Sequence, residues 1–307
     1  MSSGVRIGLQ VALAAVIVVV GAVAVVRYDH GTPAQPRIAP AASLVPAPPS
    51  GAVVFAREAG PDVLALGVAS RRDGLLLQAS VLDGDGNGVS GRRVVFSVHS
   101  ASYAGRACGA GCYRATVPLV AKPAAVVVEL AGGATSTRWR VAIPALPAPD
   151  GTAIMARAGR VWRSLRSLAY VEHLASDATN RQTSDWVVAA PDRVAYSIRG
   201  SGGGIVIGTR RWDRSTPAGR WVASQQTAVL TQPVPFWVAV SNAHVLRSGP
   251  ATWVVSFFDP RTPGWFEATV DKRTGHTLEL HMVAAAHFMH DSYRSFDDAP
   301  AVVPPVR

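Results

Sequence analysis

The stretch Trp253–Phe296, WVVSFFDPRTPGWFEATVDKRTGHTLELHMVAAAHFMHDSYRSF, decides the fold. Aromatic and β-branched residues fill its runs, and the clusters DPRTPG and DKRTGH interrupt them. Runs of that kind bounded by Pro, Gly and Asp read as strands joined by tight turns. The end of the stretch adds His281, Met282, His287, Met289 and His290. Aromatic-faced strands point to a curved sheet with an apolar inner face, whereas imidazole and thioether together point to a soft metal such as copper.

Upstream, residues 151–253 keep the same period. Val194, Tyr196 and Ile198 alternate against Arg193, Ser197 and Arg199, and Trp186 alternates with Val188. Before them an amphipathic helix is expected over about 153–170, with Ile154, Ala158, Val161, Trp162, Leu165, Leu168 and Ala169 as its apolar stripe. Arg157, Arg160, Arg163 and Arg166 recur on another flank, as a solvated face or a contact to lipid headgroups. One helix followed by long alternating strands predicts a highly curved antiparallel sheet over 151–298, wrapped around its helix or around a ligand. Trp186, Tyr196, Trp212, Phe257, Phe266 and Met282 are the candidate ligand-binding residues; they line a cavity or close a dry core, and the sequence leaves both open.

The order of motifs in this half resembles the LolA/LppX-type lipoprotein-carrier superfamily. Trp186, Pro191 and Arg193 match its W-x-x-x-x-P-x-[KR] stretch. Ile207, Gly208 and Trp212 match the next strand, and Val270, Asp271, Thr274 and Gly275 match its V-D-x-x-T-G hairpin. The resemblance covers about 150–296 and implies a half-barrel whose concave face holds acyl chains.

Residues 51–145 carry six strand signals at short spacing, from VLALGVA to TRWRVAI, which predicts a small antiparallel sandwich. The loop DGDGNGVSG at 83–91 starts like a calcium loop, but Val94 stands where that loop needs a bidentate Glu, so a hairpin turn is the expectation. VLDGDGNGVSGRRVVFSV resembles bacterial Ig-like modules, and GAGCYRATVPL is similar to the FixH/YtkA-type β-sandwich, some members of which accompany copper-handling membrane proteins. Cys108 and Cys112 are the chain's two cysteines. Outside the cytoplasm so close a pair forms a small disulfide loop; free or metal-bound thiols are the alternative.

Compartment follows from the N-terminus. Residues 7–26, IGLQVALAAVIVVVGAVAVV, are about 20 residues with one strongly polar side chain, Gln10. That length spans a bilayer core of roughly 30 Å as a helix. A membrane anchor over 1–27 is expected, a cleaved signal peptide being the other reading. A Pro/Ala-rich linker follows at 28–50, and a loose tail is expected at 299–307. The bulk is expected outside the cytoplasm, on a single-pass anchor in the cell membrane.

The formal charge is +10, nearly all of it from Arg, since Lys122 and Lys272 are the only lysines. It is spread at about +4 in each of 50–149 and 151–298, which excludes a dense nucleic-acid patch and fits attraction to anionic headgroups. No nucleophile elbow, zincin motif or phosphate loop occurs, so no catalytic residue is named and a non-enzyme is expected. No cofactor is implied.

For the metal reading, one continuous strand from His281 to His290 sets His281 and His287 roughly 20 Å apart at about 3.3 Å per residue. That leaves His287 and Met289 as weak candidate ligands, against ordinary packing. The chain is thus expected to be mainly β: an N-terminal transmembrane helix, an Ig-like sandwich, and a LolA-like half-barrel with its own helix. Its expected role is non-catalytic binding of a lipid or other apolar molecule. The alternatives are an accessory in copper handling and a structural adaptor to a membrane-protein partner.

Overall fold

The computed structural model describes residues 46–118, 125–132, 136–226 and 228–306. The anchor segment 7–26 and most of the linker 28–50 lie outside the described residues. Among the described residues no helix is long and apolar enough to cross a membrane.

The chain is mainly β, and its strands pair antiparallel in three open sheets. The first nine strands are β1 (Val53–Ala59), β2 (Asp62–Arg71), β3 (Gly74–Leu82), β4 (Arg93–Val98), β5 (Ala101–Ala104), β6 (Arg106–Gly109), β7 (Cys112–Pro118), β8 (Ala125–Ala131) and β9 (Thr137–Ala142). They form two sheets, ordered β1-β2-β3-β7-β6 and β5-β4-β8-β9. Leu64, Leu66 and Val68 of one sheet meet Phe96, Val128 and Leu130 of the other in one core. Strand β2 is apolar almost throughout because both its faces are covered. Its even residues face that core, while Val63 and Ala65 face the second half of the chain.

The loop at 83–91 is a turn, as its composition implies. The Asp83 carboxylate accepts the Asp85 and Asn87 N–H groups and the Asn87 side-chain amide, so it is engaged within its own loop. Cys108 and Cys112 form a disulfide across the β6–β7 hairpin.

The second half begins with α1 (Thr152–Ser164). Asp150 accepts the Thr152 N–H and hydroxyl at its start, which satisfies a free helix-terminal donor and holds the Asp150 carboxyl below its usual pKa. The helix ends well before residue 170. Residues 167–175 carry a period-two alternation, and they form a central strand bonded on both edges, so the ladder wins over the helical stripe. Nor is the arginine flank all solvated: Arg157 donates to the carbonyls of Lys272 and Arg273 and clamps the hairpin beneath it.

Eleven strands follow: β10 (Ser167–Ala175), β11 (Arg181–Ala189), β12 (Arg193–Ile198), β13 (Gly203–Ile207), β14 (Arg210–Arg214), β15 (Val222–Gln225), β16 (Ser241–Ser248), β17 (Thr252–Asp259), β18 (Gly264–Asp271), β19 (Thr277–Ala284) and β20 (His287–Arg294). Their order is β15-β14-β13-β12-β11-β10-β20-β19-β18-β17-β16, so two meanders join where the last strand returns to β10. Flat, eleven strands would span roughly 48 Å, against roughly 10 Å for one helix. Met155, Ala158 and Trp162 of the helix nevertheless share one core with residues from β10 through β20, so the sheet bends around them.

Three features tie the halves together. Phe258, Trp265, Phe288 and Ala175 on the outer face of the large sheet pack on Val54, Val63, Ala65 and Leu82. The connecting segment pairs with edge strand β16, through Val245 N–H to the Pro149 carbonyl and Gly151 N–H to the Ala243 carbonyl. The end of the proline-rich linker is bound to both halves: Gln78 donates to the Pro46 and Ala47 carbonyls, and Asn242 to that of Pro49.

The C-terminal tail, expected to be loose, is fastened as far as Val302. That side chain is buried, and Arg193 donates to its carbonyl at 2.8 Å.

Candidate functional site

Strand alternation sorts the central residues into two rows on opposite faces of the sheet. Inward, Leu174, Met289, Met282, Phe266 and Phe257 are successive cross-strand partners on β10, β20, β19, β18 and β17. Outward, one residue along each strand, His173, His290, His281 and Glu267 are partners in the same order. The His/Met run is therefore divided by the sheet, thioethers inside and most imidazoles outside.

This geometry corrects the continuous-strand reading. The chain turns at Ala285–Ala286, with Ala286 at φ +52°, so β19 and β20 form a hairpin. His281 thus stands opposite His290, their rings stacked at 3.9 Å, and His173 lies 6.1 Å from His290 on the other side. Burial is the main cause lowering the pKa of both His281 and His290, and their mutual repulsion lowers that of His290 further. His287 and Met289, the weak metal candidates, are two residues apart on β20 and both line the cavity described below. Met289 is buried among the inward row, while the His287 ring sits 3.2 Å from the Ala285 carbonyl of its own turn. Among the described residues no cluster of three or more His, Cys, Asp or Glu is placed to hold a metal ion.

Of the six proposed ligand-binding residues, Trp186, Tyr196, Phe257, Phe266 and Met282 lie in the inner core. Trp212 does not. It pairs with Ile205, which pairs with Ala195, all on the face opposite Tyr196, and Arg210 lies over its ring at 5.5 Å. The motif that singled it out spaces residues along the chain, whereas the face is set by parity along the strand. Tyr196 has its own requirement: its ring lies across Gly204, where a Cβ would stand 2.6 Å from a ring carbon.

Much of the inner face is filled by the protein itself. Tyr196, Trp186, Tyr170, Tyr293, Trp162, Trp237, Phe257 and Phe266 form a continuous relay with successive ring centroids 4.7–5.8 Å apart. Trp162 reaches in from α1 and Trp237 from the loop before β16, so the two plug the middle of the curved sheet.

Space remains at the end where β19 turns into β20. A cavity of about 1470 Å³ runs around this end of the sheet. Leu174, Tyr196, Phe266, Met282 and Met289 contribute to its wall from the inner row. The sandwich contributes Val54, Trp139 and Ile143, and the outward histidines border it too. Trp186 and Phe257 are outside its lining. The volume exceeds the roughly 300–1,000 Å³ of ordinary small-molecule sites.

Just beyond the Leu174–Met289 pair lies a feature that was not anticipated from the sequence. Glu172 and Asp291 are cross-strand partners with no solvent exposure. Trp186 Nε1 donates to Glu172 at 3.1 Å, and the Tyr293 hydroxyl donates to Asp291 at 2.5 Å. One oxygen of each carboxyl and the neighbouring Ser184 hydroxyl have no partner. Burial raises the Glu172 pKa to about 7 and drives that of Asp291 well up, each disfavouring charge on the other. The signal was parity: Glu172 lies in step with inward Tyr170 and Leu174, and Asp291 with Met289 and Tyr293.

Fold and site together define a β-rich, two-part protein whose open, helix-plugged sheet keeps a large cavity at one end. No family profile and no curated protein matches the sequence. Among solved structures it is similar to a LolA superfamily protein from Nitrosomonas europaea, at 8% identity, over 50% of this chain and 96% of that one, with a TM-score of 0.24. At these values the likeness says nothing about what this chain binds.

Proposed function

We propose that this protein binds a lipid or another apolar ligand without chemically changing it. The observation that carries this reading is the cavity of about 1470 Å³ with Leu174, Phe266, Met282 and Met289 on its wall. A fold built only to be solid has no reason to stop its aromatic relay short of that end. Sequence supports the same reading. Four of the residues that resemble the lipoprotein-carrier pattern fall between strands of the curved sheet, Pro191 before β12, Gly208 after β13, and Thr274 and Gly275 after β18, while Trp186, Trp212 and Val270 lie within strands. We read this half as a LolA-like half-barrel and the sandwich as an Ig-like module packed on its outer face.

The segment 7–26 is read as a single membrane anchor with both folded parts outside the cytoplasm. A tethered binder cannot carry cargo far, which favours sensing, docking or handover over a short distance.

The test is a neutral apolar fluorophore, N-phenyl-1-naphthylamine, together with organic extraction and mass spectrometry of the purified protein. Bound lipid or saturable fluorescence enhancement is expected. Met282→Trp should weaken the enhancement, because a larger side chain between Phe266 and Met289 narrows the apolar wall. Protein that carries no lipid and gives no enhancement overturns the proposal.

A further inference from the structure

We propose that the ligand carries an anionic head, a carboxylate or a phosphate, on its apolar body. This rests on the cavity reading above and adds the chemistry of the ligand's polar end.

The cavity wall holds three carboxylates, those of Glu58, Asp213 and Glu267, and each already faces a guanidinium. Arg181 pairs with Glu58 at 2.8 Å, Arg211 with Asp213 at 2.9 Å, and Arg247 with Glu267 at 3.5 Å. The wall also holds Arg140 and Arg214, and among the described residues neither has a carboxylate partner. Acidic groups in the wall are thus neutralised from within the protein, and cationic groups are left over.

A second observation concerns hydrogen bonds. Two buried nitrogens in residues lining this cavity lack a partner, Arg214 Nε and His290 Nε2. Buried polar groups are almost always satisfied, so the Arg214 Nε–H marks a place for an acceptor, and His290 Nε2 does the same in the tautomer that carries its proton there. The oxygens of an anion supply acceptors and compensate the guanidinium charge at once, and Arg is suited to both carboxylate and phosphate. Arg214 is held ready: its guanidinium lies over Trp221 at 4.7 Å, and Nη1 donates to the Pro217 carbonyl at 2.7 Å. Phe266, Met282 and Met289 on the inner face and Arg214 and His290 on the outer face line the same cavity, which runs around the end of the sheet between them. A neutral alcohol or glyceride lacks the charge.

The full chain, freed of lipid and loaded with N-phenyl-1-naphthylamine, is titrated with palmitate and with hexadecanol. Dioleoylphosphatidylglycerol and dioleoylglycerol form a second matched pair. The anionic member of at least one pair should displace the fluorophore at roughly tenfold lower concentration, as a charge-assisted bond over a neutral one implies. Preference within the first pair assigns a carboxylate head, and within the second a phosphate. Arg214→Gln or His290→Gln should remove most of that preference, read in each variant as the ratio of the two displacement concentrations. Equal displacement within both pairs, or unchanged preference in both variants, overturns the proposal and leaves the apolar cavity standing. Failure of the fluorophore to bind overturns the cavity reading itself.

Discussion

Replacing Glu172 with glutamine removes one of two carboxyl groups buried side by side in the inner core while keeping the shape that accepts the Trp186 N–H. In the folded protein burial lifts the Glu172 pKa from 4.5 to about 7. The native state therefore keeps a proton that the unfolded chain releases near pH 4.5. The contribution of this group is fully present below that pH and is lost as pH rises through about 7. At about 1.4 kcal/mol per pH unit, the loss is about 3 kcal/mol, and Asp291 adds to it in the same direction. Carboxyls with lowered pKa values, such as Asp150, Asp185 and Asp271, act oppositely, but their effect is confined to acid pH, below the unfolded carboxylate range.

Between pH 5 and 8 His276, His281 and His290, whose pKa values burial lowers, work in the opposite sense, gaining stability as pH rises through the ordinary histidine range, so the pair is read from the difference between wild type and Glu172→Gln. Urea denaturation followed by tryptophan fluorescence is the assay. Trp139 is the only one of the eight tryptophans outside the second half, so the signal reports the half that contains the pair. Relative to Glu172→Gln, wild-type stability should fall by about 3 kcal/mol from pH 5 to 8, leaving the variant the more stable protein at pH 8. Two parallel curves across this range would show that the pair does not hold a proton, and the reasoning from burial fails.

Other outcomes are expected elsewhere. Arg157→Ala loses the bonds to the Lys272 and Arg273 carbonyls, and a loss of about 2 kcal/mol should appear in the same denaturation assay. Gly204→Ala sets a methyl against the Tyr196 ring and should cost about 1–3 kcal/mol; a crystal structure would show the ring displaced. Replacing Cys108 and Cys112 with serine opens a very short loop, so the sandwich should lose no more than about 2 kcal/mol by calorimetry while the second half melts unchanged.

Much of this protein was legible as one-dimensional pattern. Alternation along Val194–Ile198, the turn clusters after Asp259 and Asp271, and the Pro/Gly punctuation of 51–145 announce antiparallel strands, because side-chain direction in a strand depends only on parity. The Cys-x-x-x-Cys spacing announced a loop that a disulfide closes. Where two periods competed, the sequence misled: Leu165, Leu168 and Ala169 suit a helix as well as a strand, and only pairing with both β11 and β20 settled residues 167–175 as strand.

What tertiary structure alone decided was which residues meet. The turn at Ala285–Ala286 is one short interruption in a run of alanines, yet it stacks His281 on His290 and sends Met282 and Met289 to the other face. Glu172 and Asp291 are 119 residues apart in the chain and look like ordinary surface acids. They become a buried pair only because the last strand returns to lie beside β10. The opening question, metal run or apolar pocket, turned on the same point. Residue types and periods are local and are read from the chain, whereas cross-strand neighbours and enclosed volume depend on strand order and on how far the sheet bends. From its sequence this protein is antiparallel and aromatic-faced; the cavity at one end of the sheet, with its unpartnered Arg214 and His290 nitrogens, exists only in the folded chain.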